Sequence, residues 1–123
     1  MWSASDPSDG LELRLEVVPA APRAGAAVEW RFTLANRGGP RSLTFPSGQQ
    51  GDVVLSAGGV ERYRWSRDKM FVMMISEREL VAGEDWGFVL EDVLEVEPGA
   101  YALEATVAAL PEPPVVRGRI VVA

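Results

Sequence analysis

The chain has no cysteine and no histidine among its 123 residues. Without cysteine there is no disulfide framework, no thiolate nucleophile and no soft metal ligand, and an oxidising compartment is not implied. Without histidine the commonest general base is missing, and a serine nucleophile would need another one. No G-x-S-x-G elbow is present either. Positive charge is scarce: 12 Lys and Arg stand against 18 Asp and Glu, a net charge of -6. An acidic chain does little to release counterions from a phosphate backbone, so neither nucleic acid nor an anionic membrane is an expected partner. Lys69 is the only lysine. No apolar run approaches the ~20 residues of a membrane-spanning helix. The first ten residues, Met1 to Gly10, lack the basic start and apolar stretch of a signal peptide. A cytoplasmic protein is the resulting expectation.

What is present is short-period alternation. Leu11, Leu13, Leu15 and Val17 alternate with Glu12, Arg14 and Glu16, and Val28, Trp30, Phe32 and Leu34 alternate with Glu29, Arg31 and Thr33. That period places one face of each strand in a core and the other in water. Shorter runs follow at Leu43–Phe45, Asp52–Ser56 and Glu61–Ser66, with Gly58-Gly59 as a turn between the last two. Trp86, Phe88 and Leu90 share a face, as do Tyr101, Leu103, Ala105 and Val107, and Val116, Gly118, Ile120 and Val122 close the chain. The apolar run Phe71–Ile75 is too short to classify by period. No window carries a sustained helical period with caps. The expected fold is therefore all-β: an antiparallel, immunoglobulin-like β-sandwich of about eight or nine strands with little or no helix. A chain of this length fits one domain, which buries roughly two-thirds of its unfolded surface. We place that domain at residues 11–123, behind a flexible tail at 1–10.

Paired carboxylates offer little chemistry. Glu84-Asp85 and Glu91-Asp92 are sequence neighbours, and neighbouring side chains on a strand point to opposite faces. Asp6-Pro7-Ser8-Asp9-Gly10 lacks the ligand spacing of a calcium loop. We therefore expect no enzyme, no metal and no cofactor. Pro98-Gly99-Ala100-Tyr101 places a tyrosine just after a turn, the arrangement of a tyrosine corner, whose hydroxyl ties back to upstream backbone. Leu110-Pro-Glu-Pro-Pro114 reads as a stiff connection between the last two strands.

The middle of the chain carries a more particular pattern. Phe45-Pro-Ser47-Gly48-Gln49 is followed by Asp52-Val53, then Tyr63-Arg64-Trp65-Ser66, then Phe71, then Glu79-Leu80-Val81-Ala82-Gly83-Glu84. Together with Gly99 and Tyr101, this order resembles the BsuPI family of intracellular proteinase inhibitors. Two positions depart from it: Gly51 stands where the family has an aromatic, and Ala82 where it has proline. The resemblance implies a non-catalytic, protein-binding domain whose partner is a serine proteinase of the subtilisin type. The alternative is an immunoglobulin-like interaction or structural domain without antiproteinase activity.

Most motif residues also have a folding role. Trp65 and Phe71 are expected as core anchors. Gly48 and Gly83 are expected in turn conformations that a Cβ would penalise. Ser47, Gln49, Asp52 and Ser66 are expected to form one local network satisfying turn backbone. At least one of Met70, Met73 and Met74 is expected to pack on the opposite sheet, the other reading being an adaptable contact patch. Partner contact is sought in two turns, Ser47-Gly48-Gln49 and Arg67-Asp68-Lys69.

Overall fold

Alternating apolar residues become strands wherever the sequence shows them. A computed structural model of the chain describes residues 1–6 and 10–123. Ten strands, and no helix, occur among the described residues: β1 Trp2–Asp6, β2 Leu11–Val18, β3 Ala27–Asn36, β4 Arg41–Phe45, β5 Gly51–Ala57, β6 Val60–Arg64, β7 Ser76–Leu80, β8 Asp85–Val93, β9 Gly99–Val107 and β10 Val116–Val122. All pairs are antiparallel. One sheet has the order β1-β2-β3-β8, a second β10-β9-β5-β6, and β4 pairs with β7 in a small third sheet. β3 lies between β2 and β8, and β9 between β10 and β5. This is the strand arrangement of an immunoglobulin-like sandwich.

The inner faces meet in one apolar cluster. Leu13, Leu15, Trp30, Phe32 and Leu34 come from the first sheet, Val53, Leu55, Leu103, Ala105 and Val116 from the second, and Leu43 and Leu80 from the third. The rings of Trp30 and Tyr63, 6.3 Å apart, span the two larger sheets. The tyrosine corner forms as expected, with the Tyr101 hydroxyl donating to the Glu97 carbonyl. The proline-rich connection after β9 is pinned to β4, where Thr44 and Leu110 exchange both backbone hydrogen bonds, at 2.8 and 2.9 Å.

Several expectations are corrected. The tail expected over 1–10 includes β1, which pairs with Leu11–Leu15 of β2. Its Trp2 indole fills the space above Gly118, where a Cβ would collide with it. Residues 7–9 of that expected tail lie outside the described residues. β7 is the second strand that periodicity missed, because in Ser76-Glu-Arg-Glu-Leu80 only Leu80 is buried. Phe71–Ile75 is not a strand at all.

Asn36, at the end of β3, is 1% exposed and fastens the third sheet to the first. Its side-chain amide faces the carbonyls of Gly39, Leu80 and Val81, each at 3.1 Å. Its own carbonyl accepts from Gly83 at 2.7 Å, where a φ of 80° suits glycine as expected. We predict that Asn36→Ala, which removes the side-chain donor to the buried Leu80 carbonyl, destabilises the protein by about 2 kcal/mol in urea unfolding.

Candidate protein-binding site

The two expected contact turns lie in different connections, and the fold brings those connections together. Pro46–Gln50 links β4 to β5, and Trp65–Ile75 links β6 to β7. The Gly48 amide donates to the Val72 carbonyl at 2.8 Å, so the shorter loop supports the longer one. Gly48 does not owe its place to a left-handed backbone, contrary to expectation. A Cβ there would meet Val72 at 3.5 Å, an ordinary contact.

The expected single polar network is in fact two. In the shorter loop the Ser47 hydroxyl accepts from the Gln49 amide at 3.2 Å, and the Gln49 side chain donates to the Gly51 carbonyl at 3.1 Å. The second network centres on Asp52, which is 7% exposed. One carboxylate oxygen accepts from the backbone amides of Val53 and Ser66, both at 3.0 Å. The other accepts from the Ser66 hydroxyl at 2.6 Å and from Arg64 at 3.2 Å. Asp52 thereby fixes the point at which the chain leaves β6.

Beyond that point the loop rests on aromatic and ionic contacts. Trp65 and Phe71 are half-buried rather than interior, with ring centroids 5.8 Å apart. The Trp65 indole donates to the Glu91 carbonyl at 3.0 Å and packs on the edge of the core. The Lys69 ammonium donates to the Trp65 carbonyl at 2.8 Å, sits 4.4 Å above the Trp65 ring and pairs with Asp92 at 3.4 Å. Arg67 and Arg64 both bind Glu61, and their guanidinium groups, Arg64 foremost, hold that carboxyl below its usual range. Of the three residues Arg67, Asp68 and Lys69, the two cations are thus engaged within the molecule. Asp68 is exposed.

Asp92, in sequence only half of an unproductive acidic pair, joins this site. Nothing in its local sequence marks it, because its partners are Lys69 and the Tyr63 hydroxyl, which donates to it at 2.8 Å. Burial, and then that hydrogen bond to an anion, raise the Tyr63 phenol above its ordinary value.

The methionine expectation is corrected most fully. From Lys69 to Ile75 the chain makes no turn or bend, and none of the three loop methionines packs on a sheet. Met70 is 99% exposed, Met73 88% and Met74 64%, with Val72 and Ile75 also exposed. The shorter loop borders a groove of about 490 Å³ floored by Val107–Leu110 and Pro113.

Gly51, the departure from the family pattern, has a local cause. A Cβ there would come within 2.9 Å of the Phe88 ring and 2.8 Å of the Thr106 carbonyl. Phe88 stacks on Phe32 with centroids 4.6 Å apart and occupies the space that a larger side chain at 51 would need.

Two outcomes follow from this geometry. Asp52→Ala, which leaves the Ser66 amide and hydroxyl without their acceptor, is expected to cost about 2–3 kcal/mol and to speed amide exchange from Ser66 into the loop. A raised folded pKa at Tyr63 contributes stability below the unfolded value of about 10, and that contribution is lost as pH rises further. The urea midpoint is therefore expected to fall between about pH 9.5 and 12, and to fall less steeply in Tyr63→Phe.

No curated protein matches the chain. Among solved structures it is similar to an alkylpurine DNA glycosylase, AlkC, of Pseudomonas fluorescens, bound to DNA containing an abasic site analog. The identity is 15% and the TM-score 0.54, over 92% of this chain and 30% of that one. It is also similar to a β-glucosidase, EmGH1, of Erythrobacter marinus, with 14% identity and a TM-score of 0.52 over 92% of this chain and 15% of that one. The chain therefore spans less than a third of either neighbour, and at these identities the likeness is one of fold. The family comparison is more telling. A family model described as BsuPI, intracellular proteinase inhibitor, matches residues 15–112, from the middle of β2 to the proline-rich connection after β9. That span contains Asp52, Trp65, Ser66 and both loops. The family is described by inhibition of proteinases and not by a reaction of its own. The chain belongs to the BsuPI family of intracellular proteinase inhibitors.

Proposed function

We propose that the protein inhibits a serine proteinase of the subtilisin type in the cytoplasm, by docking the joined loops Pro46–Gln50 and Trp65–Ile75 on the enzyme. The observation that carries this reading is the loop pair within the family match: an unbent, exposed segment held at both ends and supported midway by Gly48. Docking a segment already held in one conformation loses little conformational entropy, which favours affinity. In a cysteine-free chain, hydrogen bonds at Asp52 and the tilted ring contact between Trp65 and Phe71 do the holding that a disulfide would do elsewhere.

A second reading has an observation of its own. The same fold forms part of much larger chains in the glycosylase and the β-glucosidase, as an appended interaction or structural module would. Pull-down from native lysate separates the two, since an inhibitor enriches a proteinase and a structural module an unrelated assembly.

The direct test is titration of a purified subtilisin-type proteinase with the intact protein. Stoichiometric loss of activity at or below micromolar concentration, with the protein uncut on a gel, is the expected result. Full activity at those concentrations, or rapid cleavage within residues 66–75, rules the inhibitor reading out.

A further inference from the structure

The segment Met70-Phe-Val-Met-Met-Ile75 is the most unusual surface of the molecule. Five of its six residues are exposed, and all five are apolar. Isolated exposed apolar residues are ordinary, but a contiguous run marks a surface that is covered by a partner. No charged residue lies between Lys69 and Glu77. The two cations just before the segment are spent within the fold, Lys69 on the Trp65 carbonyl, the Trp65 ring and Asp92, and Arg67 on Glu61. A proteinase whose primary pocket requires a free lysine or arginine finds none here.

The geometry points to Met73 as the residue that fills the primary specificity pocket of the target, and to a target whose pocket is apolar. This inference rests on the inhibitor reading and deepens it. Phe71 faces the Trp65 ring and Val72 is fixed through its carbonyl, so both serve as the mount. Met73 is the first side chain beyond that mount and the most exposed of Val72–Ile75, at 88%. Met70 is more exposed still, but it lies on the far side of the anchor, next to the engaged Lys69. An unbranched thioether suits an apolar slot, because it adapts its shape without a polar group to satisfy. The flanking Met74 and Ile75 extend the apolar contact along the cleft.

The test uses the intact protein against two purified enzymes, a subtilisin-type proteinase with an apolar primary pocket and a trypsin-type proteinase with an acidic one. Wild type is expected to inhibit the first and not the second. Met73→Asp is expected to raise the inhibition constant at least about 30-fold, the scale of a hot-spot residue, while Met73→Leu stays within about threefold. Met73→Arg is expected to shift inhibition toward the trypsin-type enzyme. Because the side chain is exposed, all three variants should keep the wild-type melting temperature. Unchanged potency of Met73→Asp, or equal inhibition of both enzymes by wild type, overturns the assignment. Failure of wild type to inhibit either enzyme instead refutes the inhibitor reading on which it rests.

Discussion

The structure depends on two apolar sheet faces that can leave water only by covering each other. Trp30, Phe32 and three leucines of the first sheet meet Val53, Leu55, Leu103 and Val116 of the second, and the small third sheet adds Leu43 and Leu80. With no cysteine to form a disulfide, this burial carries the folding free energy, at about 25 cal/mol per Å² of apolar surface. The hydrogen-bonded fixtures then sit at its margins. Asn36 ties the third sheet to the first, Tyr101 closes the corner before β9, and Thr44 holds the proline-rich connection.

The long loop is built outward from that margin. Asp52 stands on β5, beside the core residues Val53 and Leu55, so the core sets the position of its carboxylate. That carboxylate takes both donors of Ser66, and the chain leaves β6 in one direction. Trp65, Lys69 and Asp92 then form a small stack against β8, and Gly48 supports the segment at Val72. The result is a run of exposed apolar side chains on a fixed support. None of these exposed side chains belongs to the core cluster.

The departures from the family pattern fit the same logic. Phe88 fills the volume beside Gly51, so aromatic bulk comes from β8 in place of residue 51. Gly83 keeps its positive φ although Ala82 replaces proline, because the requirement lies in the turn and in its hydrogen bond to Asn36.

How much of this was legible in the chain depended on the range of the interaction. Alternation at period two sets the face of a strand through backbone geometry alone, so β2, β3, β8, β9 and β10 were readable from their own residues. The tyrosine corner was equally local, its partner being four residues away. β1 and β7 were not readable, since one is explained by a tryptophan over Gly118 and the other is polar and held by pairing with β4. The loop methionines illustrate the limit best. Their apolar character suggests burial, and only the assembled sheets show that the core closes without them. Sequence by itself determined the all-β class and the family. Tertiary structure alone decided that Gly48 meets Val72, that Asp92 meets Tyr63 and Lys69, and that Met70–Ile75 faces water, because each depends on residues that pairing between distant strands brings together.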